Sequence, residues 1–276
     1  MKLKFWGTRA LISSPSKDTK VYGGNTGCLQ IIYDDALILV GSGYGATNLG
    51  EELMDRIIRE KKAFNIHIFI SNFHWDHIQG LPFFQPIYFK SSHLHIYSPM
   101  AKSDLYEGLN VLFNESYSPF EALNKMPANV SLYQMQEELA VGGLKVRYVP
   151  LDRSETPSFG YRFDSPNGES VVVASANAGE ENKALIQLSS EADLLVLGGL
   201  FTEAEYKANK AWGFASLERS LKLAMQAKAH KVLLSHHHPL RRDSDIVAIK
   251  EKLVASKDFG HLEFDFAQEQ TIYEVL

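Results

Sequence analysis

An apolar run, Ile68-Phe69-Ile70, empties into Ser71-Asn72-Phe73-His74-Trp75-Asp76-His77, a dense group of side chains that ligate metals. Imidazole nitrogens and carboxylate oxygens are the donors that Zn, Mn and Fe take from proteins. Residues leaving a strand alternate in direction, so positions 72 and 74 share one side, while Asp76 and His77 follow on the turn into the next element. That spacing can supply ligands to two adjacent metal ions. Metal ions held in this way act as Lewis acids and lower the pKa of bound water. A second group, His236-His237-His238, follows another apolar run, Lys231 to Leu234. By itself it reads equally as a solvated loop after a buried strand.

The elements that must position these groups are short and β-rich. Strands are expected over 3–6, 29–33, 36–40, 66–70, 94–97, 144–149, 160–163, 170–174, 194–197 and 231–234, with Asp34-Asp35 as a hairpin turn. Apolar stripes at helical spacing run through Leu49, Leu53, Ile57 and Ile58, through Leu217, Leu221, Leu223, Ala224 and Ala227, and from Ile246 to Leu253. Strands of this kind beside amphipathic helices predict an α/β protein with sheets covered by helices. The first strands come consecutively and the helices later, which points to a sandwich rather than simple alternation. No repeat, low-complexity tract or Pro/Gly-rich linker divides the chain, so one domain over residues 1–276 is expected.

Composition narrows the function. With 276 residues, 45% hydrophobic and 22% charged, disordered and fibrous classes are excluded. The 28 Lys and Arg against 33 Asp and Glu leave a net charge of -5, so there is no global nucleic-acid-binding signature and no field that would draw the chain to an acidic membrane. The single cysteine, Cys28, can form no internal disulfide and is expected to be a small buried residue in a reduced compartment. No apolar stretch approaches the roughly 20 residues of a membrane helix. No secretion signal opens the chain, so a cytoplasmic location is expected.

Six ordered motifs resemble the metallo-β-lactamase superfamily, in particular its phosphodiesterase-like bacterial branch, which includes cyclic-phosphate and tRNase Z-like proteins. They are Phe5-Trp6-Gly7-Thr8-Arg9, Tyr22-Gly23-Gly24-Asn25-Thr26-Gly27-Cys28, Ser71 to Phe84, Phe159-Gly160-Tyr161-Arg162, Thr202-Glu203-Ala204-Glu205-Tyr206, and Leu233 to Pro239 with Asp243. The resemblance implies a four-layer αβ/βα sandwich with a two-metal hydrolytic site at one edge, normally built from five histidines and two aspartates. β-Lactam hydrolysis is not the expectation, because the motifs are those of the phosphodiesterase branch.

The chain departs from that ligand set in a pattern. Of the His-x-His-x-Asp-His signature, His74, Asp76 and His77 match, but the first histidine is Asn72. Where a further histidine is expected, the chain reads Leu151-Asp152-Arg153-Ser154; where a bridging aspartate is expected, Ser175-Ala176-Asn177; and a Gly-His-Ser motif is Gly213-Phe214-Ala215. The last ligand is present as His236. The losses fall on the first metal, for which only His74 survives. Asp76, His77 and His236 remain for the second, and two histidines with a carboxylate form a legitimate site for one Zn, Mn or Fe. The expectation is therefore at most a single-metal hydrolase with Asp76 catalytic, or alternatively an inactive ligand-binding or protein-interaction module that keeps the fold and holds no metal.

Asn72 and Arg153 are the candidates for substrate binding. A guanidinium at 153 could hold the phosphate or carboxylate of an anionic small molecule or phosphodiester, or could pair with Asp152 at the surface. Arg9 and Asn25 are expected to make structural hydrogen bonds within the first hairpins. Trp75, Phe83, Phe84 and Trp212 are expected as core or pocket wall. Arg241-Arg242 and Lys61-Lys62 are expected as solvated helix-end charges. His67, His93, His95, His230 and His261 show no ligand spacing.

Overall fold

The computed structural model describes residues 1–60, 64–114, 122–151, 156–176 and 182–275. The first sheet holds β1 (Lys2–Gly7), β2 (Cys28–Tyr33), β3 (Ala36–Val40), β4 (Asn65–Phe69), β5 (His93–Ser98) and β6 (Asn129–Gln134). The second holds β7 (Glu138–Val141), β8 (Leu144–Pro150), β9 (Phe159–Asp164), β10 (Ser170–Ala174), β11 (Leu194–Gly198), β12 (Lys231–Ser235) and β13 (Glu263–Phe266). The chain returns at its end to add β14 (Ile272–Glu274) beside β1. Among the described residues the sheet orders are β14-β1-β2-β3-β4-β5-β6 and β13-β12-β11-β10-β9-β8-β7.

Alternation along the strands builds three apolar layers. Inward residues of both sheets, among them Leu3, Ile31, Ile38, Phe69, Phe163, Val171, Val196 and Leu233, pack into one core. The outer face of the first sheet, with Ile66, Ile68, Leu94 and Ile96, is covered by α1 (Gly45–Glu60) and, beyond the short α2 (Trp75–Ile78), by α3 (Lys102–Asn110). The outer face of the second, with Val172, Leu195, Val232 and Leu234, is covered by α4 (Lys183–Leu188), then by α6 (Leu217–Ala227) and α7 (Asp243–Ala255), with α5 (Glu203–Asn209) between them in the chain. This is the expected αβ/βα sandwich. No helix among the described residues is long and apolar enough to cross a membrane.

Local chemistry sets the register. The Asp34-Asp35 hairpin joins Tyr33 to its partner Ala36, with Asp34 at φ +48°, a left-handed conformation that Asp tolerates. Val141 and Leu144 are joined through Gly142 and Gly143, both at positive φ, as a two-residue turn between twisted strands requires. β4 lies parallel to β3 and β5, and β12 parallel to β11 and β13, so both strands end at the edge where open α/β sheets place ligands. Cys28 is buried, as expected.

Two expectations are corrected. Arg241 is buried at 6% exposure rather than solvated, because its guanidinium donates to the Glu205 carboxylate and, at 3.2 Å, to the Gly199 carbonyl. Of the aromatics expected in core or pocket wall, Phe84 is buried, but Trp75, Phe83 and Trp212 are 58%, 52% and 49% exposed. These three are not core residues. Lys61 and Lys62 fall outside the described residues.

Candidate metal centre

The turn after β4 is built by its own side chains. Asn72 Oδ1 accepts from the His74 N–H at 2.9 Å, an Asx-type bond that curls the chain before the single turn of α2. The His77 N–H then donates to the His74 carbonyl at 2.9 Å, and the Ser42 N–H to the His77 carbonyl at 2.7 Å, tying α2 to the end of β3. A Cβ at Gly43 would stand 2.2 Å from the Asp76 carbonyl, so only glycine lets β3 come this close. Asp76 and His77 are thereby pressed inward, 1% and 3% exposed.

His236 reaches them from the second sheet. It follows β12 at φ +56°, a left-handed turn that swings its imidazole back over the sheet edge. Its Nε2 lies 3.0 Å from His77 Nε2 and 3.8 Å from Asp76 Oδ2, and the two rings stack with centroids 4.7 Å apart. A Cβ at Gly27 would stand 3.0 Å from His236 Cε1, so the glycine leaves the ring its room. Asp76 Oδ2 also accepts from the Leu11 N–H at 2.8 Å. Leu11 sits at φ +65°, a strained conformation for a branched side chain, held by the loop around it.

These three residues are the one group of His, Cys, Asp or Glu among the described residues whose donor atoms converge, all within 4.8 Å. An ion about 2.1 Å from each donor in a tetrahedral shell would space the donors about 3.4 Å apart. The distances from His236 Nε2, 3.0 Å to His77 and 3.8 Å to Asp76, bracket that value, and all three donors lie within 4.8 Å of one another. Burial pushes the Asp76 carboxyl up, but the facing His77 and His236, the Leu11 N–H and His74 outweigh it and hold it below the ordinary carboxylate value. The charged, ligating form is favoured. A cavity of about 20 Å³ lies against the two imidazoles, lined also by Cys28, Ser175 and Ser235, with room for about one water.

The other expected residues divide. His74 does not join the three. It is half-buried, its Nε2 3.4 Å from Thr156 Oγ1 and its ring edge against Phe214 at 6.3 Å between centroids. Asn72 is wholly buried, with both ends of its amide engaged inside the turn. Arg153 and Asn177 lie outside the described residues. Of Ala176 and Asn177, the two candidates for the place of a bridging aspartate, Ala176 is a buried methyl in the outer core of the second sheet. Arg9 is fully buried and makes structural hydrogen bonds, though not only within the first hairpins: it donates to the carbonyls of Gly23 and, far along the chain, of His238 and Arg241. Asn25 donates to Glu269. Sequence reasoning missed Leu11, whose contribution is a backbone N–H and leaves no trace in residue type. It also passed over Ser71, whose Oγ lies 3.4 Å from His77 Nδ1 and whose place at the head of the motif was the available signal.

Comparison with known proteins agrees with the fold. The sequence profile of the Beta-lactamase superfamily domain matches residues 56–237, about two-thirds of the chain. No curated protein matches. Among solved structures, the metallo-β-lactamase fold protein YhfI from Bacillus subtilis superposes with a TM-score of 0.71 at 17% identity, covering 99% of this chain and 98% of that one. A diphosphatase of the PhnP family gives 0.67 at 18% identity, covering 99% and 97%. The short form of human tRNase Z gives 0.64 at 17% identity, covering 100% of both. At these identities the likeness is one of fold.

Proposed function

The chain belongs to the β-lactamase superfamily, and from that premise we propose that it is a phosphoester hydrolase working with a single metal ion held by Asp76, His77 and His236. The observation that carries this reading is the convergence of three buried donor atoms, one carboxylate and two imidazole Nε2, contributed from both sheets. Zn, Mn and Fe all accept such a set. When bound, the ion supplies Lewis acidity toward a phosphoryl oxygen and raises the acidity of water at the site.

The chain's own groups do the rest. Asp76, kept ionised, has Oδ2 fixed by the Leu11 N–H, so its carboxylate points in one direction and can orient an attacking water. His74, half-buried at the rim and next to Thr156, can donate to an anionic substrate oxygen, and Arg153 is placed by sequence in the same role. Phosphoesters are the favoured substrate class because the PhnP-family diphosphatase and tRNase Z share the fold over their whole length.

A second reading, a binding module without turnover, is favoured by one observation. Positions 176 and 214 carry buried apolar side chains, Ala176 and Phe214, which offer no donor.

Elemental analysis of protein purified without chelator separates the two. The hydrolase reading expects about one metal per chain, lost in Asp76→Ala, and metal-dependent release of nitrophenol from bis(p-nitrophenyl) phosphate. No metal above background after reconstitution with Zn, Mn or Fe sinks it in favour of the binding module.

A further inference from the structure

The turn carrying Asp76 and His77 contains a chain of three polar side chains that leads to one ring nitrogen of His77. The His74 N–H can only donate, so the end of the Asn72 amide that meets it at 2.9 Å is Oδ1, and the end facing Ser71 Oγ at 3.2 Å is Nδ2. Ser71 Oγ therefore accepts from Asn72. The same Oγ lies 3.4 Å from His77 Nδ1, and the Ser71 carbonyl accepts from the Phe159 N–H at 3.0 Å, which pins the turn to β9. The opposite ring nitrogen, His77 Nε2, is the one that faces His236. Asn72, Ser71 and His77 are all buried, so water competes little for these bonds.

An imidazole that offers its Nε2 lone pair to a cation must carry its proton on Nδ1, and the acceptor of that proton sets both tautomer and ring direction. We propose that Asn72 is a positioning residue for the metal centre: it holds Ser71 Oγ as acceptor of the His77 Nδ1 proton and so turns the Nε2 lone pair toward the ion shared with Asp76 and His236. The inference rests on the single-metal reading above and assigns Asn72 a task distinct from touching substrate. A hydroxyl oxygen has two acceptor sites beside its own proton, so Ser71 Oγ, already accepting from Asn72 Nδ2–H, has room for a His77 Nδ1–H.

The test uses the full chain, with zinc as the probe. Zinc affinity is measured by competition with a chromogenic chelator, and the tautomer by imidazole 15N shifts of His77 in chelator-treated protein. In wild type, His77 should carry its proton on Nδ1. Asn72→Ala should weaken zinc binding about 10–100-fold and give a mixed tautomer pattern. Asn72→Asp should restore both to wild-type values. Its carboxylate still accepts from the His74 N–H and takes the Ser71 hydroxyl proton, which leaves Oγ an acceptor for Nδ1–H. Should Asn72→Ala fail to fold, Ser71→Ala removes the same acceptor and should give the same two changes.

A wild-type His77 protonated on Nε2 would overturn the inference. So would an unchanged zinc affinity in Asn72→Ala, or an Asn72→Asp as weak as Asn72→Ala. If wild type binds no zinc, the metal reading fails and the role at a metal centre fails with it, even where the His77 tautomer still follows position 72.

Discussion

His236, His237 and His238 are identical in type and adjacent in sequence, yet their surroundings give them three tasks. His236 turns into the metal centre. The His237 ring is buried between Tyr22 and Phe266, with Nε2 2.8 Å from the Ala267 carbonyl, and burial pushes its pKa down to about 3, so it is a neutral structural donor. His238 Nδ1 accepts from the Leu240 N–H at 3.2 Å, and its ring faces Phe201. A fourth histidine offers a pH test. His67 stacks on His95 with centroids 5.0 Å apart, and its Nδ1 lies 3.1 Å from the Tyr97 hydroxyl; burial first, and His95 second, push it down to about 4. Its neutral form is favoured in the fold, whereas the unfolded chain takes up the proton near pH 6.5. Its contribution to stability is therefore complete above that pH and is lost as pH falls from 6.5 through about 4. Thermal melts of chelator-treated protein between pH 7.5 and 4.5 should show His67→Gln gaining on wild type across that window, and a constant difference would refute the assignment.

At the scale of elements, the strands legible in the sequence are the central ones. The four that no apolar run announced, β6, β7, β13 and β14, are the four sheet edges. An edge strand meets solvent along one side and carries polar residues, as in Asn129-Val130-Ser131-Leu132-Tyr133-Gln134, none of them fully buried. Periodicity reports burial, so it fails where burial is partial. The motif Thr202 to Tyr206 also changes meaning in the fold. Thr202 and Glu205 form a capping box on α5, and the Glu205 carboxylate pairs with the buried Arg241. Thr202→Ala should cost about 1 kcal/mol in chemical denaturation. Glu205→Ala should cost more, since it also strips the carboxylate from a buried guanidinium. Equal losses would mean that the cap alone matters.

Across the whole molecule, the proposed metal ligands come from both sheets: Asp76 and His77 follow β4, and His236 follows β12. An ion on all three would clasp the two layers at one edge, and an ion that binds the folded chain stabilises it by mass action, about 2.7 kcal/mol at 100 times its dissociation constant. Added zinc should raise the melting temperature of chelator-treated wild type, and His236→Ala should abolish that shift. A shift surviving in His236→Ala would place the zinc elsewhere.

The sequence by itself determined the central strands, three of the covering helices (α1, α6 and α7, but not α3 or α4), and the neighbourhood of Asp76 and His77, because each is written in side chains within one or two turns of one another. Spacing along one strand or turn is local geometry, and local geometry is what residue order encodes. The resemblance had grouped His236 with Asp76 and His77, but only the tertiary structure gave the 3.0 Å approach of His236 to His77 across 159 residues, set His74 apart against Phe214, and spent both ends of the Asn72 amide on the turn. It alone showed Arg241 buried on Glu205 and a strained Leu11 offering its N–H to Asp76. Each of these depends on sheet order and register bringing remote segments together, and no periodicity within a single segment carries that information.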